Sequence, residues 1–414
     1  MYDLFGTGKT AVRMNFGKYL QGVFSGEAYT IKNPATTLVS SITRTWTDPS
    51  GDKVAQCDFL NPLANQECGA WSNVNWGSSV ATTRVNPAVL EGWDTRNNDW
   101  QFGIGIQHEI LPRTSIDVSY NRRWWNNFFV THNAALTPAD FDEVTITAPQ
   151  NPRLPGGGGY PVSFLVRNNR NPTVGASDPY YTTSDDFGDE VHYWHGVDVS
   201  VSSRLRGSLF VQAGTSTGRG VNDTCDVWQG RFGRSMSPTA GIVIAQGIID
   251  GKASCDYAEP WLTQARAIVS YTVPKADVLV SGIFRSQPNA QPGNTTVGTN
   301  GGSRTANYQM TPLQFQAATG VALRAGLATQ SVDLLLPGAI YGERINVADL
   351  RVAKVLRFKN KRLNVGLDLY NLFNSNTPTT YETVFDVATN GARWLQPTGV
   401  LTPRATRFNV QFDF

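Results

Sequence analysis

Only four histidines occur in the 414-residue chain, and none stands where it could serve a reaction. His108, His132, His192 and His195 are scattered, and their spacing supports neither a Ser/His/Asp nor a Cys/His arrangement. His192 and His195 flank Tyr193-Trp194 at the start of a strand pattern, which suits an interfacial position. The run Ser184-Asp185-Asp186-Phe187-Gly188-Asp189-Glu190 gathers hard oxygen donors of the kind that calcium takes. Its spacing is not that of an EF-hand loop, and a solvated acidic loop is the better reading. Pro155-Gly156-Gly157-Gly158-Gly159-Tyr160 lacks the Lys-Ser/Thr that a phosphate loop places on the following helix, so it reads as a flexible loop tip. The cysteines show no C-x-x-C spacing. Cys57 with Cys68 and Cys225 with Cys255 lie in two polar segments and fit loop disulfides formed in an oxidising compartment. Four unpaired thiols are the alternative. No enzyme, cofactor or metal site is expected.

If chemistry is not the work, the elements must be. Charged residues are 16%, well under the typical ~25%, and aromatic residues are 11%. No stretch approaches the ~18 apolar residues of a membrane helix. The net charge of +2 is spread thinly, which argues against a nucleic-acid partner. A mean hydropathy of -0.27 suits a soluble protein. It also suits a transmembrane barrel, whose polar lumen offsets its lipid-facing side chains.

Period-2 alternation recurs along the chain. Val12, Met14 and Phe16 alternate with Arg13, Asn15 and Gly17 after a turn at 5–9. Trp100, Phe102, Ile104 and Ile106 turn near Pro112-Arg113 and return as Ile116, Val118 and Tyr120 opposite Asp117 and Ser119. Val197, Val199 and Val201 oppose Asp198 and Ser200 and turn at 206–208. Ala265 to Tyr271 turn at 274–277, and Val347 to Phe358 turn at 359–361 into Leu363 to Tyr370. The last strand carries Phe408, Val410, Phe412 and Phe414 on one face and Arg407, Asn409 and Gln411 on the other. This gives about eleven strands of ~10 residues, the length that crosses a bilayer when tilted. Every second connection is long, at about 21–98, 131–190, 217–260, 288–344 and 375–403. Loops beyond ~15 residues are uncommon in compact soluble domains, whereas outer-membrane barrels alternate short turns with long loops. The fold expected is an all-β, antiparallel transmembrane barrel.

Arg13, Asn15, Asp117, Ser119, Asp198, Ser200, Asn364, Asp368, Asn409 and Gln411 would then line the lumen, either hydrating it or touching a plug. Trp124, Trp125, Phe128 and Phe129 read as an aromatic girdle, with packing beneath a loop as the alternative. Lys354 breaks the outward phase, and Phe210 and Leu279 break the inward one; a bulge or a plug contact would account for each.

The segment 347–374, with its D-L-Y-N-L-F-N signature at 368–374, resembles the penultimate hairpin of TonB-dependent receptors. Trp394-Leu395-Gln396-Pro397, Leu401-Thr402-Pro403-Arg404 and Tyr2 to Thr10 are similar to the same family, closest to its Oar-like subgroup with a carboxypeptidase-regulatory-like domain. The terminal strand, ending in Phe414, resembles the signal read by the barrel-assembly machinery. The resemblance implies an integral outer-membrane receptor of 22 strands, of which about eleven form the C-terminal half. Plug, TonB box and signal peptide are not seen, so the chain reads as a fragment with its start upstream. Partners implied are outer-membrane lipid, an extracellular ligand of unknown kind and, through a plug, the TonB complex. A passive porin and a secreted soluble β-rich binding protein remain the alternatives.

Overall fold

The computed structural model describes residues 2–22, 28–168, 178–205, 208–230, 247–289, 306–323, 327–358 and 361–413. Its main sheet follows the chain: β1 (Tyr2–Asp3), β2 (Thr10–Leu20), β3 (Asn98–Leu111), β4 (Thr114–Asn126), β5 (Val191–Arg204), β6 (Leu209–Asp223), β7 (Leu262–Val273), β8 (Val278–Asn289), β9 (Gly342–Phe358), β10 (Lys361–Tyr370) and β11 (Ala405–Asp413). Each strand pairs antiparallel with the next, and β1 and β11 stand at the two ends of the order. A short strand, Asp256–Ala258, adds to the pairing of β6.

This topology puts every short turn at one end of the sheet and every long connection at the other. The first turn is held by Asp3, whose carboxylate accepts from the Phe5 and Gly8 amides at 3.3 and 2.7 Å. Pro112-Arg113 makes a two-residue turn, with Arg113 left-handed at φ 66°. The turns expected at 206–208 and 359–361 fall largely outside the described residues.

Register explains the three phase breaks. Lys354 does face outward, but it lies level with Val278, the first residue of β8, at the turn rim. Its ammonium reaches the Ala276 carbonyl of the adjacent turn. Phe210 and Leu279 are each the second residue of their strand, also at the rim. The sheet's bulges lie elsewhere, at 109–111 and 287–289. The position on the rim, rather than a bulge, is what these three residues share.

The signature Asn371-Leu372-Phe373-Asn374 turns out to be architecture. Asn371 is left-handed (φ 49°), and its side chain donates to the Ser375 and Thr402 carbonyls at 2.8 and 2.9 Å. Asn374 accepts from the Arg404 amide at 2.9 Å. Asparagine tolerates φ > 0 and its amide can bridge chain segments, so these two residues close β10 and tie it to the approach of β11.

The long connections are folded in their described parts. They run over 21–97, 127–190, 224–261, 290–341 and 371–404, so β6 reaches six residues beyond the loop start expected at 217. Phe141–Thr147, Pro161–Arg167, Ile248–Ile249 and Lys252–Ala253 form one small sheet drawn from two of them. Asn307–Met310 pairs with Gln330–Asp333 and, in parallel, with Val384–Asp386 from the last. Helix Pro312–Thr319 begins with a capping box between Thr311 and Gln314 and ends on left-handed Gly320. Four of the five connections share one core, in which Val162, Phe315, Leu334, Phe385 and Trp394 are fully buried. We call this assembly the cap.

The glycine run at 156–159 belongs to it and is a packed turn, not a flexible tip. All four residues have φ between 61° and 85°. A Cβ on Gly158 would stand 1.9 Å from the Pro149 carbonyl oxygen. Only glycine fits a left-handed backbone that lies this close to its neighbour.

Candidate functional site

Period-2 alternation sorts the main sheet into two faces. One is apolar and bare: Met14 is 65% exposed, Phe408 70% and Val410 58%, with Ile104, Val197, Val269, Val352 and Leu367 in the same phase. Phe412 continues it, and Phe414 lies outside the described residues. So large an exposed apolar surface is not that of a water-facing sheet.

The opposite face carries all ten residues expected to line a lumen. Arg13, Gly105, Ser119 and Asp198 occupy one row across four strands, and Asp117 with Ser200 occupies the next. Asn15 shares a row with Gly103 and Asn121. Asn364 pairs with Gln411, Asp368 with Arg407, and Gly366 with Asn409. Several charges on this face are tied across strands. Arg13 reaches Asp117 at 2.6 Å, and Arg123 holds Asp99 through two bonds of 2.9 Å. Asn121 donates to Asp198 at 2.6 Å. Asp368, almost fully buried, takes Arg407 at 3.0 Å, Asn409 at 2.9 Å and Arg351 at 3.5 Å. The Arg13–Asp117 pair spans β3 at Gly105, where a Cβ would meet the Arg13 Nε at 3.0 Å. The glycines of β3 therefore clear the way for side chains of its neighbours.

The aromatic girdle needs correcting. Trp124 is on the apolar face, where it lies 6.2 Å from Phe16 and 6.5 Å from Trp100, with Arg122 over its ring. Trp125, one residue on, points to the polar face and stacks on His192 at 4.2 Å. Phe128 lies near the same imidazole, and Phe129 packs with Tyr181 in a small core of the loops. One residue changes face in a strand, so four aromatics spaced 124, 125, 128 and 129 could not share one. The outer cluster instead recruits Phe16, Trp100, Tyr193 and Trp261 from four strands and their flanks, with Lys18 and Arg122 among the rings. The sequence held this signal only as single aromatics far apart.

His195 sits in that outer cluster, 5.0 Å from Trp261. His192 faces inward, and His132 packs against Tyr180 and Phe187 in a loop. His108 contacts the Thr10 hydroxyl at 2.8 Å near the turn end. In the acidic run, Asp186 accepts from the Thr182 hydroxyl, and Ser184 is buried against the Phe128 carbonyl. Among the described residues no cluster of three His, Cys, Asp or Glu is placed to hold a metal.

The cap is built from the connections that leave the loop end of the sheet. Cys57–Cys68 and Cys225–Cys255 are both disulfides, with Cα separations of 5.9 and 5.0 Å. Arg153 from the second connection bonds the Gly391 and Trp394 carbonyls of the fifth and lies over the Trp394 ring. Tyr160 donates to the Leu334 carbonyl at 2.8 Å, and burial pushes its phenol up to about 12. Burial likewise pushes the Asp333 carboxyl up to about 6, although the Ala306 and Leu335 amides donate to it. Exposed Arg84 clasps Asp178 at 2.8 and 2.6 Å and lowers its carboxyl.

The polar face holds two cavities of ≈ 480 and ≈ 340 Å³ that share Ser216 and Gln264. Trp194, Glu259, Arg266, Arg285 and Gln287 also line them. Sequence reasoning missed these five. Arg266 is legible in hindsight as an inward-phase charge between Ala265 and Ala267, but Glu259 lies in a loop, where strand phase says nothing.

No protein-family model matches the chain, and no curated protein matches it. Among solved structures, the outer membrane transporter YddB from Escherichia coli is similar, with a TM-score of 0.45 and 10% sequence identity. The match covers 99% of this chain and 39% of that one, so the chain spans about two-fifths of the transporter's length.

Proposed function

We propose that this chain forms barrel wall and extracellular cap of an outer-membrane receptor that imports or exports a ligand with energy supplied through TonB. The supporting observation is the two-faced sheet with one capped rim. A lipid-facing surface explains the exposed Phe, Val, Ile and Leu, and a water-filled interior explains the cross-strand ion pairs on the opposite face. The long connections then lie outside the cell and form a folded structure above the polar face, placed to select what enters. The Asn371–Asn374 signature supports the TonB-dependent family, to which the chain's motifs are similar. Catalysis has no part in this reading.

The test has two stages. The protein should partition into the outer membrane, need detergent for extraction and migrate faster on a gel unheated than boiled. Transport should then stop when the inner-membrane proton gradient is collapsed. A protein that is monodisperse in plain buffer would remove the membrane reading, and transport indifferent to the gradient would leave a passive barrel.

A further inference from the structure

We propose that the polar face, across its two adjoining cavities, holds a subsite for a short peptide with free termini, its ammonium on Glu259 and its carboxylate on Arg266 and Arg285. This rests on reading that face as the lumen, and it names the class of ligand that would pass.

Glu259 anchors one end. Its side chain is buried, at 5% exposure for the residue. One carboxylate oxygen, Oε2, accepts from the Gly220 amide at 3.0 Å, while Oε1 is buried with no hydrogen-bond partner. A buried carboxylate oxygen left without a donor is costly, and a ligand ammonium supplies donor and charge together. The Tyr341 hydroxyl is also buried without a partner. Burial, with the Glu259 charge added, pushes that phenol up to about 12. Beside Glu259 lies Trp194, whose indole rests on Gly196 and Gly218; a Cβ there would meet its ring carbons at 2.6 and 2.3 Å. The glycines let the ring lie along the sheet, where it lines the cavity as a platform for a cation or an apolar side chain.

The arginines anchor the other end. Arg266 on β7 and Arg285 on β8 are directly opposite in the register. Like charges so placed repel. Arg13, Arg123, Arg351 and Arg407 each have an aspartate within 3.5 Å on the same face. Arg266 instead has only the Gln264 amide oxygen, at 3.3 Å, and among the described residues neither it nor Arg285 has a carboxylate at ion-pair distance. Two guanidinium groups over one cavity are a fork for an oxyanion.

The distance between anchors sets the ligand. Glu259 bonds Gly220 of β6 through its backbone, and Arg266 pairs with Gly214 of the same strand. Six residues of strand are about 20 Å, which the two side chains shorten. An extended peptide covers ~3.3–3.6 Å per residue, so about three to six residues fit. Gln264 and Gln287 between the anchors can donate to and accept from a peptide backbone. A neutral saccharide would leave both charged anchors unanswered.

The experiment uses the intact outer-membrane protein in detergent micelles and calorimetric titration with trialanine to hexaalanine. One of these lengths should bind. N-acetylation and C-amidation of that peptide should each weaken it by on the order of tenfold or more, because each leaves a charge unpaired. In Glu259→Gln the penalty for acetylation should vanish while that for amidation persists. Arg266→Gln/Arg285→Gln should do the reverse. Heat-modifiable migration checks that both variants fold. Affinity indifferent to both modifications, sensitivity to amidation alone in the unsubstituted protein, or no binding at any length would overturn the peptide subsite. A heat-modifiable barrel with that result leaves the outer-membrane reading standing, whereas solubility without detergent would sink both.

Discussion

The membrane reading is most exposed at Leu367. It lies six residues into β10, in register with Val352 of β9 and Phe408 of β11, on the bare apolar face. Six residues are about 20 Å along the strand, or about 15 Å along the membrane normal at the usual tilt of ~40°. That position lies inside the ~25 Å apolar band, where an arginine costs up to about 2–4 kcal/mol. Phe358, 55% exposed, has the same phase but closes β9 at the turn itself, paired with Lys361. There an arginine costs about 0–1 kcal/mol. Leu367→Arg and Phe358→Arg should therefore differ by roughly 2–3 kcal/mol in urea unfolding from lipid vesicles. On a water-facing sheet both substitutions would stay within about 0.5 kcal/mol. Equal, small effects would refute the assignment of this face to lipid.

Other consequences follow for the long connections. Trp394→Ala removes a fully buried side chain and should destabilise the cap by about 3–5 kcal/mol; proteolysis within the loops should quicken while heat-modifiable migration of the barrel persists. Burial raises the Asp333 carboxyl to about 6 from its ordinary 3.8, so its contribution is fully present below 3.8 and is lost as pH rises through 6. Amide exchange in the cap should accordingly be slower at pH 5 than at pH 8 after correction for intrinsic rates, and Asp333→Asn should flatten the difference. Reducing Cys225–Cys255, which spans 30 residues, should loosen its loop by about 3–4 kcal/mol, and Cys57–Cys68, which spans 11, by about 3 kcal/mol; protease sensitivity with and without reductant reads both.

The strands were legible because their signal is local. Arg13 beside Val12, or Asp368 beside Leu367, declares its face by parity alone, and every polar-face residue read that way lies on that face. Parity also exposes the error over Trp125, which neighbours Trp124 in sequence and therefore opposes it in space. The ion pairs were not legible, since Asp368 meets Arg351, Arg407 and Asn409 only after three strands are set in register. Nor was the site at Glu259, Arg266 and Arg285, whose members lie on a loop and two strands and line two cavities that meet at Ser216 and Gln264.

The cap was the least legible element, for an energetic reason. Its core draws Val144, Val162 and Phe164 from one connection, Ile249 from a second, Phe315 and Leu334 from a third, and Phe385 and Trp394 from a fourth. No one of these segments carries enough apolar periodicity to announce a fold, and by itself each would expose its few large side chains to water. The meander changes this. Antiparallel order delivers the ends of every long connection to the same rim, with neighbouring strands ~4.8 Å apart. Much of the closure entropy for bringing the segments together is then met by strand pairing, because the loop ends are already neighbours. Modest apolar content per loop becomes sufficient once four loops pool it. The same logic fixes the cap's place: it can form only where the long connections converge, at the loop end of the sheet. A ligand arriving from that side meets the cap before it meets the charges, so cap stability should govern access to the subsite. Trp394→Ala, which loosens the cap without touching Glu259 or Arg266, should speed peptide association in the titration while leaving the penalties for acetylation and amidation intact.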